Sequence, residues 1–391
     1  MKATEEFALV GGRCVLPDGI RSDVAIVCRD GRIADITADP DPGVSTVDVG
    51  GRLVTAGLID LHVHGALGRS FGEPDQSTYD TILHHLARQG ITSVNASLVS
   101  APVEDLVRVM EFATGYRPPD TATRLLGVHL EGPFIAVDQC GAHDPAMLCA
   151  PTPADAERLV AYADILRMVT LAPELPGAIE LTRRLADAGV LVAIGHSSAT
   201  AQAFRDAVDA GARHLTHLWS GQSNLTRSGP WRVPGLLELS LASDALTAEV
   251  IADGRHLPPE LLTIARRCFS DRLCVVSDAT AGAGLAEGSR YRAGTVECEV
   301  RDGVGIVIGA DAFGGSTTTV NAMLDHLVTG LGWPVAEAVA MATSTPARIA
   351  GIADRTGCLA PGYAADIAIF DERFTAWATL LGGVWVRADD T

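Results

Sequence analysis

The two ends of the chain share one pattern, in which short β-rich runs alternate with turn residues. FALVGGRCVL, SDVAIVCRDGRIADITA and STVDVGGRLVTAG lie near the start of the chain, and GCLAPGYAADIAIFDERFTAWATLLGGVWVRA follows the same style near the other end. The dipeptides Asp18-Gly19, Asp30-Gly31 and Gly50-Gly51 are typical of hairpin turns, because their residues tolerate positive φ angles. We therefore expect residues 1–55 and 357–391 to build one small β-sandwich domain together.

The middle of the chain, residues 56–356, alternates apolar strands with amphipathic helical segments. TYDTILHHLARQG, PADAERLVAYAD and TAQAFRDAVDAG carry apolar residues at i, i+3 and i+4, the spacing that gives a helix one buried face. Eight strand–helix alternations fit a parallel (β/α)8 TIM-like barrel, an α/β fold, better than an open doubly wound sheet. An insertion at Ala281–Gly315, expected to be a hairpin, precedes helices near Thr318–Gly330 and Pro334–Ala350. The predicted strands are Leu58–His64, Ile91–Ser97, Arg124–Leu130, Leu166–Leu171, Val190–Gly195, His214–Leu218, Leu246–Ile251 and Leu273–Ser277.

Composition excludes several classes of protein and of catalytic chemistry. Of the 391 residues, 47% are hydrophobic and 20% are charged, which is enough apolar surface to form a sizeable core. The formal charge of −18 comes from 48 acidic against 30 basic residues, and so acidic a chain is a poor non-specific binder of nucleic acid or anionic membrane. Lys2 is the only lysine in the sequence, which excludes a Schiff-base lysine, a Walker lysine and a lysine-derived metal bridge.

Eight cysteines are spread along the chain without a C-x-x-C pair. In a chain with neither a secretory leader nor an apolar run long enough to span a bilayer, we expect mostly buried free thiols in a reducing compartment. The predicted location is the cytoplasm, with no membrane partner and no nucleic-acid partner. The cysteines are Cys14, Cys28, Cys140, Cys149, Cys268, Cys274, Cys298 and Cys358.

Polar residues recur at the carboxyl ends of the predicted strands, the end of a (β/α)8 barrel that carries the active site. The first strand reads GLIDLHVHG, and because side chains alternate along a strand, Asp60, His62 and His64 share one face. Two imidazoles about 7 Å apart along the inner face can hold one metal ion. The H-x-H pattern alone is a weak signal, since ordinary polar histidines also occur at strand ends.

Four further strands place a metal-ligating side chain at the same rim. Glu131 ends strand three in GVHLEGPFI, His196 follows strand five in IGHSSAT, His217 ends strand six in HLTHLWSG and Asp278 follows strand eight in VVSDAT. His214 lies three positions before His217 and is expected to be structural. Random placement of 11 histidines would rarely produce this convergence, so the sequence predicts a metal site.

Six donors are too many for a single catalytic zinc ion, which takes three protein ligands and a water. Two ions about 3.5–4 Å apart need a bridging anion, and Glu131 is the remaining candidate because strand four contains no lysine. In the alternative, one ion binds tightly to Glu131, His196 and His217 while His62 and His64 hold a second ion weakly. Both arrangements stay open. Histidine and carboxylate suit Zn2+, Fe2+, Mn2+ and Co2+ alike, and Zn2+ is the first expectation.

Asp278 has the character of a general acid/base. A carboxylate beside a metal-activated water can accept its proton and pass that proton to a leaving group. The metal lowers the pKa of such a water from 15.7 toward about 7. The alternative role of Asp278 is that of a metal ligand only.

Seven motifs, in this order and across nearly the whole chain, resemble those of the N-acetylglucosamine-6-phosphate deacetylases of the amidohydrolase superfamily. They are GLIDLHVHG, HLEGPF, CGAHDP, IGHSSAT, IADGRH, VSDAT and GGSTTT. The resemblance implies a metal-dependent deacetylase that removes acetate from the 2-amino group of a phosphorylated amino sugar. It also implies a homodimer with the barrel-plus-sandwich architecture.

By position, the resemblance assigns the metal and proton-transfer roles. Glu131, His196 and His217 match the family's main metal ligands, and Asp278 matches its acid/base. The pair His62 and His64 matches members that hold a second ion, whereas other members have non-histidine residues there.

The resemblance also assigns contacts with substrate. His256 in IADGRH resembles the histidine that contacts the sugar and helps to polarise the scissile carbonyl. Arg232 in RVPGL matches the phosphate-binding arginine, whose planar fork donates two parallel hydrogen bonds. The alternatives are an ordinary loop histidine for His143 and a solvated surface charge for Arg232. The other contacts implied by the resemblance are Ala142, His143, Ser220, Gly221, Phe313, Gly314 and Gly315.

The segment after His217 departs from the family, which usually has an aromatic residue followed by Asn-Ala-Met there. This chain reads HLWSGQSNLTRSGPW, in which Trp219, Ser220 and Gly221 replace that segment. No metal ligand is lost, so the metal chemistry is expected to survive the change. The identity of the sugar and the requirement for phosphate stay open.

Three functions follow from these observations. The leading hypothesis is hydrolysis of N-acetylglucosamine 6-phosphate to glucosamine 6-phosphate and acetate. The alternative keeps the site but changes the substrate to N-acetylgalactosamine 6-phosphate, an unphosphorylated amino sugar, a cyclic amide or an N-acyl amino acid. The third is a non-catalytic barrel kept for binding or assembly; such a descendant is expected to lose ligands, and this chain keeps all six.

Overall fold

Eight parallel strands form the central sheet, side by side in the order in which they follow one another along the chain. In the computed structural model, which describes residues 6–387, strand eight returns to strand one through a bridge between Val63 and Ala279. Asp278 N also donates to His62 O at 2.8 Å, so the sheet curls into the predicted (β/α)8 barrel. Barrel strands one to eight are Leu58–Val63, Ile91–Leu98, Arg124–Glu131, Leu166–Leu171, Leu191–Ile194, His214–Leu215, Thr247–Val250 and Leu273–Val275.

Helices cover the outside of the barrel, because each connection between parallel neighbours must cross one face of the sheet. Their amphipathic patterns bury one side: Tyr79, Ile82 and Leu86 of the first helix are completely buried. Thr200 caps the fifth helix, since its hydroxyl accepts a hydrogen bond from Ala203 N (3.2 Å). The α-helices are Gln76–Arg88, Val103–Gly115, Pro153–Val160, Ala178–Asp187, Ala201–Asp209, Leu236–Leu241, Pro259–Phe269, Val320–Asp325, Val335–Met341 and Ser344–Ile349, with shorter 3₁₀ turns at Val137–Gln139, Pro145–Met147 and Ser270–Arg272.

The insertion after barrel strand eight is larger than the predicted hairpin. It forms an antiparallel sheet of four strands in sequence order, which lies over the rim that carries the polar residues. Tyr291, Val300 and Val307 give this sheet a small buried cluster of its own, and that cluster supports the two additional strands. The strands are Arg290–Ala293, Val296–Arg301, Val304–Val307 and Phe313–Ser316.

The helical stretch predicted at Pro334–Ala350 divides into two helices. Pro346 has no backbone N–H with which to bond the carbonyl of Ala342, so the first helix cannot continue through it. That carbonyl instead accepts a hydrogen bond from Ile59 N of barrel strand one, at 2.8 Å. The stretch predicted at Thr318–Gly330 is helical over Val320–Asp325 and ends in one π-turn at His326–Gly330.

Strands from both ends of the chain form two stacked sheets, as the sequence predicts. Phe7 and Ile26 of one sheet and Val54 and Ile369 of the other belong to one buried cluster. The predicted domain limits stay a prediction, and their outermost residues, 1–5 with Lys2 and 388–391, lie outside the described residues. In sheet order, the strands are Arg32–Thr37, Ala25–Arg29, Phe7–Val10 and Ser45–Asp48, then Val384–Arg387, Ala376–Leu381, Ile367–Phe370, Leu53–Ala56, Arg13–Leu16 and Gly19–Arg21.

The predicted turns behave in two ways. Asp30 and Gly31 have φ angles of +50° and +73° and close a hairpin, as their Asp-Gly pair predicts. Gly50 and Gly51, at +60° and +75°, instead carry the chain from one sheet to the other, so the hairpin expected there was wrong.

The eight cysteines are all free thiols. Four of them are buried, three are partly buried and Cys149 is exposed. Within residues 6–387, no helix combines the length and the apolar surface needed to cross a bilayer.

Asp366 joins the sandwich to the barrel. Its buried carboxylate accepts hydrogen bonds from Gly382 N (2.8 Å) and Thr356 Oγ1 (3.2 Å) and pairs with Arg124, the first residue of barrel strand three. Its carbonyl oxygen accepts a hydrogen bond from Gly57 N at 2.8 Å, immediately before barrel strand one. One residue therefore connects strands that are far apart in the chain.

We expect Asp366→Ala to lower the free energy of unfolding by about 3 kcal/mol, because it leaves several donors without their charged acceptor. Urea denaturation followed by circular dichroism measures the change. The control is Asp271→Ala, which removes an exposed ion pair with Arg348 (3.2 Å) and should cost less than about 1 kcal/mol. Equal costs for the two variants would contradict the role given to Asp366.

Candidate metal centre

The six predicted donors meet at the carboxyl ends of the barrel strands, and all of them are buried. Two overlapping groups have ligand atoms within 4.8 Å of one another, and Glu131 belongs to both. The first group is His62, His64, Glu131 and Asp278, and the second is Glu131, His143 and His196. His217 joins them through its Nε2, which lies 2.7 Å from Glu131 Oε1.

The carboxylate of Glu131 divides the histidines into two pairs. Oε1 lies 3.0 Å from His196 Nε2 and 2.7 Å from His217 Nε2, whereas Oε2 lies 3.2 Å from His64 Nε2 and 3.5 Å from His62 Nε2. Burial raises the pKa of Glu131, but the charge of His62 and the hydrogen bonds from the other histidines outweigh it and hold that pKa well below its usual range. Glu131 is therefore an ionised carboxylate with one oxygen for each pair.

Three of these histidines are oriented by an acceptor at their other ring nitrogen. Nδ1 of His64 faces Ser97 O (3.1 Å), and Nδ1 of His196 faces Gln139 O (2.7 Å). Nδ1 of His62 faces the carboxylate of Glu249 at 3.0 Å. A carbonyl or carboxylate oxygen only accepts, so in each neutral ring Nδ1 carries the proton and Nε2 has the lone pair that can bind a cation. A second proton on Nε2 instead makes the ring a donor to Glu131, and that is the contact that lowers the pKa of Glu131.

This donor set fits a divalent cation. The Nε2 atoms of His62 and His64 lie 3.1 Å apart, close enough to share one proton or to bind one cation between them. Among residues 6–387, the ion pairs of Glu131 and Asp278 are all with histidines, so arginine does not supply a positive charge here. Imidazole and carboxylate donors are those that zinc and related divalent ions prefer.

His143 has the opposite orientation. Its Nδ1 accepts a hydrogen bond from Ser100 N (3.1 Å), so in the neutral ring the proton is on Nε2. That nitrogen lies 3.3 Å from Glu131 Oε2 and can donate to it, but a protonated nitrogen offers no lone pair to a metal. The geometry therefore suits His143 to hydrogen-bond donation, and the substrate contact that the resemblance implies for it stays a prediction.

Asp278 faces the same space from barrel strand eight. Its Oδ1 lies 3.2 Å from His64 Nε2 and 3.6 Å from His62 Nε2. Burial raises the pKa of Asp278, but the hydrogen bond from His64 and the charge of His62 outweigh that effect and lower it. An ionised carboxylate in this position can accept a proton or coordinate a cation, the two roles predicted for it.

Three residues of the site hold a backbone conformation that side chains rarely adopt. His196, Trp219 and Asp278 have φ angles of +47°, +71° and +47°. Such angles cost on the order of 1 kcal/mol or more for a residue with a Cβ and persist only where the surroundings impose them. Here, hydrogen bonds from Ala136 N to His196 O and from Ser316 N to Asp278 O, both 2.9 Å, impose them on two of the three.

A cavity of about 290 Å3 opens above the six donors. Arg232 is not among its lining residues; it lies on an exposed hairpin of Thr226–Ser228 and Trp231–Val233, where it donates to Pro230 O (3.2 Å). The predicted substrate contacts that do line the cavity are Ala142, His143, Ser220, Gly221, His256, Phe313, Gly314 and Gly315.

The sequence reasoning missed the carboxylates that hold the histidines in place. Asp253 accepts hydrogen bonds from His256 Nδ1 (2.8 Å) and His256 N (2.9 Å), and its position three residues earlier in IADGRH was the available signal. Glu249 contacts both His62 and His214, which makes His214 structural as expected. Strand alternation would have placed Glu249 inside, but nothing in the sequence names its partners.

Asp60 was predicted on the same strand face as the two ligand histidines but was given no role. It accepts hydrogen bonds from Ser277 N (3.1 Å) and His62 N (3.2 Å), and thereby ties barrel strand one to strand eight. Burial raises the pKa of Asp60 to about 6.

Known proteins are similar to this chain in sequence and in fold. A sequence model of the amidohydrolase family matches residues 53–386. The N-acetylgalactosamine-6-phosphate deacetylase of Escherichia coli O157:H7 is 32% identical over 361 residues, which cover 92% of this chain and 93% of that protein. The human N-acetylglucosamine-6-phosphate deacetylase is 33% identical over 353 residues, covering 86% of this chain and 85% of that protein.

Two solved structures are similar over nearly their whole length. The N-acetylglucosamine-6-phosphate deacetylase of Pasteurella multocida has a TM-score of 0.90 at 28% identity, covering 98% of this chain and 100% of that one. A mutant of the Mycobacterium smegmatis enzyme in complex with N-acetyl-D-glucosamine-6-phosphate has a TM-score of 0.88 at 30% identity, covering 97% of this chain and 99% of that one.

The tautomers distinguish the histidines that can bind metal from those that cannot. Measuring the metal content of variants tests this distinction. We expect His196→Gln to lose at least one bound ion per chain, because it removes one of the Nε2 ligand atoms beside Glu131. His256→Gln is the matched control: it lies in the same cavity outside both groups of donors and should keep the wild-type metal content. Elemental analysis by plasma mass spectrometry measures both, and metal loss in the control would contradict the assignment.

Proposed function

The chain belongs to the amidohydrolase family, in its group of N-acetylglucosamine-6-phosphate deacetylases, and we propose that it hydrolyses the N-acetyl group of N-acetylglucosamine 6-phosphate to give glucosamine 6-phosphate and acetate. The observation that carries this proposal is the shared carboxylate of Glu131, with one pair of Nε2 atoms at each oxygen and Asp278 beside them. A cavity of about 290 Å3 next to this centre is of a size suited to a small molecule.

The proposed resident cofactor is one or two divalent ions, with zinc as the first choice. His196, His217 and Glu131 would hold one ion, and His62, His64 and the second oxygen of Glu131 would hold the other. A bound divalent ion lowers the pKa of water and polarises a carbonyl oxygen. Fe2+, Mn2+ and Co2+ suit the same donors.

The chain's own residues supply the proton transfers. The attacking water forms a C–O bond to the acetyl carbon and gives a proton to the carboxylate of Asp278. As the C–N bond breaks, Asp278 returns that proton to the amine nitrogen of the sugar. Atoms balance, because one water and one amide give one carboxylic acid and one amine.

His256 would steady the carbonyl oxygen during this step. Asp253 holds its Nδ1–H, which fixes the ring and leaves Nε2 for contact with substrate. A proton on Nε2 lets the ring donate to the oxygen that gains negative charge. Phe313, whose ring centre is 4.5 Å from that of His256, covers one side of the ring.

A second substrate, N-acetylgalactosamine 6-phosphate, is favoured by a specific observation and should be tested beside the first. The Escherichia coli relative acts on N-acetylgalactosamine 6-phosphate, as its name states, and it matches more of this chain than the human relative does. Trp219, Ser220 and Gly221 line the cavity at the segment where the sequence departs from the family pattern. We propose that this segment distinguishes the two sugars, which differ in one hydroxyl configuration.

We propose that the chain forms a homodimer through its exposed hairpin. Leu225, Trp231 and Val233 are 52%, 75% and 42% exposed, an unusual concentration of large apolar side chains on one surface. Arg232 lies between Trp231 and Val233, outside the cavity of its own chain. If the hairpin packs against a second copy, Arg232 would be placed to bind the phosphate in the partner's cavity.

The proposed location is the cytoplasm. Eight cysteines without a disulfide fit a reducing compartment, where thiols stay reduced. The formal charge of −18 disfavours partnership with nucleic acid or an anionic membrane surface.

Acetate release tests the function directly. Wild-type, metal-loaded protein is expected to hydrolyse the two sugar 6-phosphates faster than free N-acetylglucosamine or N-acyl amino acids. Asp278→Asn should lower kcat by about 10²–10⁴-fold while retaining bound metal, because it removes the proton acceptor. Asp271→Asn is the control and should keep wild-type kcat, because this exposed carboxylate pairs with Arg348 and does not line the cavity. Turnover of acyl amino acids alone would end the proposal.

Arg232→Ala should raise KM for the 6-phosphate substrate by about 10–100-fold, because charged hydrogen bonds are worth about 1.5–3 kcal/mol. The KM of any unphosphorylated substrate should not change. Arg227→Ala is the matched control, since Arg227 faces Arg232 across the same hairpin. Light scattering should give twice the chain mass of 40.8 kDa for the wild type. A monomer, or equal KM changes in both variants, would contradict this assignment.

A further inference from the structure

Glu249 lies beneath the metal centre, on barrel strand seven, and has so far been described only as a contact of His62 and His214. It is completely buried, and within residues 6–387 its ion pairs are with histidines only. Oε2 lies 3.0 Å from His62 Nδ1, and Oε1 lies 3.1 Å from His214 Nε2. Oε2 also accepts a hydrogen bond from His217 N (3.2 Å). Burying a carboxylate without a neighbouring arginine or lysine is costly, so this contact set needs a physical reason.

Contact with Glu249 decides which nitrogen of His62 carries the proton. Because the carboxylate only accepts, Nδ1–H points to Glu249 and the lone pair of the neutral ring is on Nε2. Nε2 lies 3.1 Å from His64 Nε2, in a ring that Ser97 O holds in the same tautomer. The negative charge behind the ring also makes Nε2 a stronger donor toward a cation.

Glu249 acts unequally on the two halves of the centre. It contacts the ring of His62 but reaches His217 only through the backbone N. His196 takes its orientation from Gln139 O, at 2.7 Å, without any contact with Glu249. When Glu249 changes, the ring of His196 therefore keeps its own acceptor, and His217 keeps the contact of its Nε2 with Glu131 at 2.7 Å.

We infer that Glu249 is the positioning residue for the second divalent cation. It fixes and strengthens His62 as a ligand, so that His62 and His64 hold an ion in addition to the one held by Glu131, His196 and His217. The inference rests on the proposed metal-dependent function and adds to it the residue that determines how many ions the chain retains.

The test titrates metal-free, full-length protein with Zn2+ and counts bound ions per chain after equilibrium dialysis. Glu249→Gln keeps a carbonyl oxygen and the side-chain shape but removes the charge. It should bind the first ion as the wild type does and the second about 10–100-fold more weakly, the usual cost of losing such a supporting carboxylate.

Asp60→Asn is the matched control. Asp60 is equally buried and contacts His62 through the backbone N, not through the ring, so this variant should bind both ions as the wild type does. Wild-type binding of both ions by Glu249→Gln, or the same weakening in Asp60→Asn, overturns the inference. A wild-type chain that binds a single ion also overturns it and leaves the proposed deacetylation standing if acetate is released. A wild-type chain that neither binds metal nor releases acetate overturns both.

Two further measurements separate positioning from a general structural role. In a His62→Gln background, adding Glu249→Gln should cause no further loss of the second ion; an additional loss overturns the inference. The second measurement uses the wild type, so it tests the inference even if a variant fails to fold. In 15N spectra of the histidine-labelled, zinc-loaded chain, His62 should carry its proton on Nδ1 and coordinate through Nε2. Coordination through Nδ1 overturns the inference.

Discussion

The buried carboxylate of Glu131 is the interaction on which the rest of the site depends. It lies among five imidazoles at the mouth of the barrel, with two Nε2 atoms of the proposed ligands at each of its oxygens. Taking a charge out of water is costly unless opposite charge and hydrogen bonds compensate it. Here the compensation comes from the surrounding imidazoles, which can carry protons at the Nε2 atoms that face Glu131 or hold cations there. The residues around these rings hold them in place.

The barrel supplies this support from below and the insertion from above. Glu249, Ser97 and Gln139 each fix one ring through its Nδ1 atom, and Ser100 fixes His143 in the opposite sense. Parallel strands make such a set feasible, since their carboxyl ends bring residues distant in sequence to one rim. The four-stranded insertion then encloses the space above and contributes Phe313 beside His256. Ligation, proton transfer and substrate contact thus come from different segments of the chain.

Much of this was predictable from sequence, for identifiable reasons. The eight strands follow from apolar runs between amphipathic helices, and His62, His64, Glu131, His196, His217 and Asp278 follow from one rule about strand ends. Glu249 was not predictable as a partner of His62, because the two are 187 residues apart and only the fold brings them together. The insertion was expected to be a hairpin, since its small core of Tyr291, Val300 and Val307 has no clear period in the sequence. Arg232 lies outside the cavity of its own chain because of the path of a loop. The hydrophobic periodicity of the sequence does not determine that path.

The central position of Leu53–Ala56 in the six-stranded sheet has a consequence for how the chain reaches its native state. This strand pairs on one side with Arg13–Leu16 and on the other with Ile367–Phe370, about 300 residues later. During synthesis, the amino-terminal strands leave the ribosome long before the partner that completes their sheet, and meanwhile one edge of Leu53–Ala56 is open to pairing with other chains. The whole barrel is translated in that interval. The last strands to emerge therefore both complete the small domain and close an edge that would otherwise favour aggregation.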